Sequence, residues 1–395
     1  MVTEFETVEQ TLSKKLILMM SFACGMAVAN LYYNQPLLAD MGHSFQTTAH
    51  QVGNIAMFTQ IGYAVGMFLF VPMGDMKERR QLITVLLLAV TLSLIAVATA
   101  PNLVWMNLAS LAVGITTVVP QIIIPLAAQL AAPSERGKVI GSIMSGLFIG
   151  ILLARTVSGL IGGSLGWRAM YWIAAAMMLG LAVLLRTFLP KSYPETQLTY
   201  PQLFQSMGQL IATQPILREA SLIGAMLFGG FSVFWTSLSF FLEGAPFHYG
   251  SEVAGLFGLV GVVGAAGAPV VGRLADRFNA KQMVGLLIGI TLLSYLFFGI
   301  WGTSIWGLVA GVILLDLGVQ GAQVSNQTRI YSLIPEARSR LNTVYMVSYF
   351  LGGSLGSTLS GFAWSWWKWQ GVCWTGGLMI FIGLLAWAVH RTKTR

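Results

Sequence analysis

Apolar residues run along the chain in stretches of about 20 or more, the length a helix needs to cross the hydrocarbon core of a bilayer. Twelve such stretches fall at about 16–39, 51–73, 81–100, 103–131, 138–164, 168–189, 217–242, 252–272, 282–301, 304–332, 341–364 and 370–390. They are continuously apolar, whereas the strands of a membrane barrel alternate apolar and polar positions. The pattern therefore predicts an all-α membrane protein with twelve transmembrane helices.

The pattern also repeats, at an offset of about 202 residues, as duplicated architectures do. Pro133, Arg136, Met144, Phe148, Gly150, Leu153, Thr156, Ser158 and Gly159 recur as Pro335, Arg338, Met346, Phe350, Gly352, Leu355, Thr358, Ser360 and Gly361, and Trp167 recurs as Trp369. A duplicated membrane half predicts two pseudo-symmetric six-helix halves that rock around a central site. The expected organisation is a tail (1–15), a first half (16–189), a linker (190–216), a second half (217–390) and a short tail (391–395). Pro190, Pro194, Pro201 and Pro215 prevent the linker from being one helix. Within it, Leu203, Phe204, Met207, Leu210 and Ile211 keep helical spacing, so a short amphipathic helix on the membrane face is expected.

Of 395 residues, 56% are hydrophobic and only 9% charged, with a mean hydropathy of +0.74. A soluble domain carries roughly 25% charge. The net charge of +8 reflects topology rather than a nucleic-acid partner. Counted over twelve spans, nearly every Lys and Arg falls on one side. Arg168 and Lys368 fall on the other, and Arg155 lies inside a span. This asymmetry places both termini in the cytoplasm of a bacterial inner membrane, with basic loops against anionic lipid. Glu4, Glu6 and Glu9 precede a first span too long for a signal peptide, so that span is expected to be retained. Cys24 and Cys373 lie in spans and are expected to be buried thiols. Neither a Walker loop, an HExxH motif nor a paired-cysteine motif occurs, and His43, His50 and His248 fall in loops. No cofactor, metal site, enzyme activity or ATP-driven pump is expected.

The chain resembles the major facilitator superfamily over essentially its whole length. The resemblance rests on the two halves and on a charged loop after span 2, Gly74-Asp75 through Arg80, repeated after span 8 as Gly272-Arg273-Leu274-Ala275-Asp276-Arg277 and Lys281. The first copy is degenerate, with Val71, Met76 and Glu78 where glycine, a basic residue and glycine are usual. The resemblance implies gating roles for Asp75, Arg79, Arg80, Gly272, Asp276 and Arg277. Asp75 would face the start of span 11 and Asp276 the start of span 5. A carboxylate against a helix N-terminus contributes ~0.3–1 kcal/mol. Drug/proton antiporters of this superfamily carry an arginine in span 4 and a Gly-Pro pair in span 5. Here Ser110 and Ala154-Arg155 stand at those places. Ala29-Asn30-Leu31-Tyr32-Tyr33-Asn34-Gln35-Pro36 together with Gly166-Trp167-Arg168 is similar to an efflux-like bacterial subgroup.

Span 10 concentrates the candidate chemistry. Asp316, Gln320, Gln323 and Gln327 share one helical face. Asp316 is the carboxylate nearest the middle of any span. An ionisable group at that depth costs ~3 kcal/mol if it faces lipid. It is read as the proton-linked residue, against a packing strut. Arg155 pairs with Asp316, binds an anionic substrate, or pins span 5 to a neighbour. Asn30, Tyr33 and Asn34 share a face of span 1, with Tyr32 and Gln35 projecting elsewhere; that face is either substrate surface or interfacial aromatic belt. The resemblance implies that spans 1, 4, 7 and 10 line the cavity. Gln121, Trp235, Gln320, Gln323, Tyr345 and Tyr349 then complete a mixed aromatic-amide cavity suited to an amphipathic organic solute. Glycines in spans 5, 8 and 11 are expected to pack the halves together. The expected function is proton-coupled efflux of a small organic compound by a monomer, with proton-linked uptake, facilitated diffusion or a non-transporting membrane sensor as alternatives. Reporter fusions after residue 200 and at the C-terminus should both read cytoplasmic; a periplasmic reading at either place refutes the topology.

Overall fold

The computed structural model describes residues 13–74, 76–132, 135–192, 199–266, 279–334 and 337–391. Among these the regular structure is helical: α1 (Lys14–Ala29), a 3-10 turn (Gln35–Leu37), α2 (Leu38–Phe45), α3 (Ala49–Met73), α4 (Arg79–Ala98), α5 (Leu103–Thr116), α6 (Val119–Leu130), α7 (Arg136–Leu165) and α8 (Trp167–Phe188) in the first half. The linker holds α9 (Tyr200–Thr213). The second half holds α10 (Pro215–Glu243), α11 (Ser251–Ala266), α12 (Ala280–Trp301), α13 (Ile305–Tyr331) and α14 (Arg338–Arg391). Nine helices among the described residues are long and apolar enough to cross a membrane. Dividing the last at Lys368, where φ is 51°, and adding the broken first span and the shorter apolar Ser251–Val263 accommodates the twelve spans of the pattern.

Local sequence accounts for most helix starts. Ser13, Thr48, Glu78, Asn102 and Asn279 place a side-chain oxygen on the free backbone N–H groups of α1, α3, α4, α5 and α12. Glu78, one of the three residues that depart from the usual loop motif, accepts from the N–H groups of Arg80 (3.0 Å) and Gln81 (2.9 Å). Two spans are interrupted. α1 ends at Ala29, and the chain passes through turns and a 3-10 segment that carries Pro36 in its first turn before α2. Span 4 was expected to be continuous. It divides at Thr117–Val118, because Pro120 sits in the first turn of α6 and cannot donate back to α5.

The repeat is visible in contacts. Gly150 lies against the backbone of Gly25 in α1, and its counterpart Gly352 lies against that of Ala225 in α10. Ser158 Oγ donates to the Tyr33 carbonyl (3.0 Å), and its counterpart Ser360 Oγ to the Val233 carbonyl (2.8 Å). The glycine pairs of spans 5 and 11 therefore pack within each half, not between halves as expected. A helix has several faces, and Gly146, Gly150, Gly352 and Gly356 lie on the inner ones. The face of α7 that carries Gly159 does cross the divide. A Cβ on Gly159 would fall 2.8 Å from the Cα of Gly255 in α11, and Thr156 Oγ1 donates to the Gly255 carbonyl (3.0 Å). This seal lies at the end of the molecule away from α9. At the α9 end the halves diverge.

α9 buries Leu203, Met207 and Leu210 and leaves Ile211 exposed. Its Tyr200 hydroxyl donates to the Leu69 carbonyl (2.6 Å), and Ser206 accepts from Arg340, so the linker touches both halves.

The turn before each repeated tryptophan uses the same backbone region, with φ of 83° at Gly166 and 51° at Lys368. Glycine adopts it freely, whereas a lysine there is strained by roughly 1–3 kcal/mol. Lys368→Gly should raise stability by about 1 kcal/mol, read as a higher unfolding midpoint in detergent; an unchanged or lowered midpoint refutes the strain.

Candidate functional site

A cavity of about 760 Å³ lies between the halves. Ser332, Arg338 and Ser339 line its mouth at the α9 end, and Tyr32, Phe231 and Gln320 line its deep end at mid-span. Its walls are aromatic: Phe228 stacks on Tyr349 (4.1 Å), and Tyr63 of the first half meets Phe350 of the second edge-on (4.5 Å).

Four of the cavity residues expected from sequence lie in this lining: Gln121, Gln320, Gln323 and Tyr349. The repeated glutamines are each held by a tyrosine. Gln121 Nε2 donates to the Tyr63 hydroxyl (3.3 Å), and the Tyr349 hydroxyl donates to Gln323 Oε1 (3.3 Å). Asn30, Tyr33, Asn34, Trp235 and Tyr345 are buried behind the lining. Asn34 Nδ2 donates to Thr59 Oγ1 (3.2 Å), Tyr345 packs against Gly224, and Trp235 lies beneath Arg155. Two residues directed away by a continuous helical wheel take central places instead. Tyr32 lines the deep end and Gln35 binds Arg155. The break after Ala29 resets the helical phase, so the spacing of one uninterrupted helix no longer predicts which way these side chains point.

Arg155 on α7 and Asp316 on α13 are both fully buried. Arg155 Nε donates to Gln35 Oε1 (2.6 Å), and the guanidinium lies 4.0 Å from the ring centre of Trp235, 4.8 Å from Tyr32 and 5.4 Å from Phe231. A desolvated cation over aromatic rings gains about 2 kcal/mol. Among the described residues, Arg155 Nη1 and Nη2 and both Asp316 oxygens have no hydrogen-bond partner. The two groups interact electrostatically, but they form no ion pair.

The glycines of α11 bring them together. A Cβ on Gly258 would fall 3.0 Å from Arg155 Cβ, and one on Gly261 3.1 Å from Asp316 Oδ2. Gly261 thus makes room for a carboxylate of its own half rather than for the opposite half. Below Asp316 the polar face of α13 opens gradually. Gln320 is 7% exposed, and Gln323 and Gln327 are partly exposed along the cavity wall.

Of the expected gating residues, Arg79 Nε donates to the Gly74 carbonyl (2.7 Å) and its Nη1 to Gln129, while Arg80 Nη1 donates to the Leu189 carbonyl (3.3 Å). These contacts stay within the first half. Asp75, Gly272, Asp276 and Arg277 lie outside the described residues. At the opposite end His43 Nε2 meets Glu243 Oε1 at 2.5 Å across the halves. Their side chains are 71% and 43% exposed, and so exposed a pair contributes about 0–1 kcal/mol. Sequence reasoning passed over Gln60. Its Nε2 donates to Ser357 (3.2 Å) and Ser232 (3.4 Å) of the second half, a buried polar clasp. One amide in an apolar span and two serines on other helices form no pattern until the helices are packed.

The family model described as Major Facilitator Superfamily matches residues 17–298 and 222–395. The chain is 44% identical over 384 residues to the uncharacterized transporter YgaY of Escherichia coli O157:H7, covering 97% of this chain and 98% of the relative. It is 25% identical to the inner membrane transport protein YnfM of Escherichia coli K12, covering 92% and 88%. In fold it is similar to a bacterial homologue of the human lysosomal transporter Spinster, in an inward-facing, occupied conformation (TM-score 0.76, 13% identity, 96% of each chain). It is likewise similar to the nucleoside transporter NupG (TM-score 0.73, 16% identity, 94% and 98%).

Arg155 and Asp316 compensate each other's buried charge, so removing one should cost more than removing both. Arg155→Met or Asp316→Leu alone should destabilise by about 3–5 kcal/mol, and the double replacement should recover most of that loss. Unfolding midpoints of the three variants test this; simple additivity refutes the coupling.

Proposed function

The chain belongs to the Major Facilitator Superfamily, and from that premise we propose that it exports a small organic solute in exchange for protons by alternating access. It is a membrane transporter and not an enzyme. In this reading the protein sits in a bacterial inner membrane with both termini cytoplasmic, a single chain is the working unit, and the cavity faces the cytoplasm.

The observation that carries the proposal is Asp316: a fully buried carboxylate without a hydrogen-bond donor among the described residues, at the inner end of a polar stripe that descends the cavity wall. A proton arriving along Gln327, Gln323 and Gln320 would neutralise it and leave Arg155 as the uncompensated charge. That changes the relative cost of the two closed states, which is what couples a gradient to rocking. The aromatic walls support an organic rather than an inorganic cargo, and the glycine contacts between α7 and α11 supply a tight seal that two smooth backbones can leave and re-form.

Asp316→Asn mimics the protonated state permanently. In reconstituted vesicles, with a solute identified by comparing metabolites of deletion and overexpression strains, it should lose proton-driven flux. Wild-type dependence on the gradient in this variant would mean that coupling lies elsewhere, and no dependence in the wild-type protein would mean that it is a uniporter. Solute accumulation in the deletion strain indicates export, and failure to accumulate it indicates uptake.

A further inference from the structure

Resting on the transport reading above, we propose that Arg155 and Asp316 form a subsite for a zwitterionic solute of the amino-acid type. Its carboxylate binds Arg155, its ammonium group binds Asp316, and its organic body lies in the aromatic cavity below.

The inference starts from two charges that are fully buried yet unpartnered. Arg155 Nε is committed to Gln35 and the guanidinium face to Trp235. Nη1 and Nη2 remain without an acceptor among the described residues, and paired guanidinium donors suit a planar carboxylate. Both oxygens of Asp316 lack a donor, as an ammonium group would require. Buried charge is tolerated when it is paired and hydrogen-bonded. A ligand with only a carboxylate would put a second negative charge near Asp316, and one with only an ammonium group would put a second positive charge near Arg155. A zwitterion keeps the site neutral and satisfies both ends.

Access is built in. Tyr32 and Phe231, which flank the guanidinium, also line the deep end of the cavity, so their rings are the partition between cavity and subsite. Gln320 stands one turn from Asp316 on the same helix and reaches the cavity. The cavity volume of about 760 Å³ holds a side chain considerably larger than the charged head, against Phe228 and Tyr349. A bound zwitterion would also span the divide, with its carboxylate on α7 of the first half and its ammonium group facing α13 of the second. A proton on Asp316 competes with the ammonium group, so binding of one favours release of the other.

Equilibrium binding to the purified protein in detergent, without a gradient, tests this with three probes at neutral pH: L-phenylalanine, its methyl ester (ammonium only) and N-acetyl-L-phenylalanine (carboxylate only). Calorimetry should show phenylalanine binding at least ~10-fold tighter than either analogue, a difference of one charged contact. Asp316→Asn should reverse the order in favour of the N-acetyl probe, and Arg155→Gln in favour of the ester. Arg155→Lys, which keeps the charge but not the paired donors, should weaken phenylalanine while keeping the order of the probes. Equal affinity for the three probes, or no binding of phenylalanine to the wild-type protein, overturns the subsite whatever the stability of the variants. Charge-selective binding without gradient-driven flux would retain the subsite and refute proton coupling. Gradient-driven flux of a solute without charge-selective binding would do the reverse.

Discussion

Two opposite charges buried from the two halves of one chain set the constraint around which the centre of this molecule is arranged. Arg155 and Asp316 are both inaccessible, and neither makes an ion pair with the other. Such groups are tolerated only while each offsets the other's charge or gains other contacts. Arg155 obtains them from Gln35 and from Trp235, Tyr32 and Phe231. Asp316 obtains no hydrogen bond among the described residues and depends on the nearby cation alone. Any motion that separates α7 from α13 alters this balance, which makes the pair sensitive to the conformational state.

The glycines of α11 make that proximity possible. Gly255 and Gly258 press on the backbone and Cβ of Arg155, and Gly261 faces the carboxylate of Asp316. A side chain at any of the three would have to displace backbone or charge. The small-residue surface thus does two jobs, sealing the end remote from α9 and admitting the two charged groups to one helix face. The exposed His43–Glu243 pair closes over the same end but adds little energy.

Toward the α9 end the same helices diverge and the polar stripe of α13 becomes a cavity wall. Gln121 and Gln323, equivalent in the two halves, are each fixed by a tyrosine hydroxyl, which presents amides in defined orientations within an aromatic enclosure. Duplication supplies the framework of Gly150 and Gly352 and of Ser158 and Ser360. The copies differ at the centre. Arg155 has Ser357 at its repeat position, and Ser357 accepts from Gln60 of the first half instead of carrying charge. The two halves therefore hold each other by unlike polar contacts at like positions.

The all-helical membrane architecture, the internal repeat, the amphipathic face of the linker helix and the isolation of Asp316 were legible in the chain because each depends on local spacing or on composition. A span must be long and apolar wherever it packs, and a mid-span carboxylate is anomalous in any arrangement. Gln320, Gln323 and Tyr349 could be placed near the cavity for a similar reason: they sit on helices without a break between them and the phase that was read, whereas Gln121 lies beyond the break in span 4 and is marked by its repeat as Gln323. Tyr32, Gln35 and Gln60 could not. The first two follow the break after Ala29, which rotates the chain out of its helical phase, and Gln60 acquires meaning only from serines on two other helices. Tertiary packing likewise decided that Gly146, Gly150, Gly352 and Gly356 join helices within a half while Gly159 crosses between halves, that Asn30, Tyr33, Asn34, Trp235 and Tyr345 stand behind the cavity wall, and that Arg155 meets Gln35 and Trp235 instead of Asp316. Periodicity reports which residues share a face of one helix; which neighbour that face meets depends on rotation and close approach, and these are set only when all the helices pack at once.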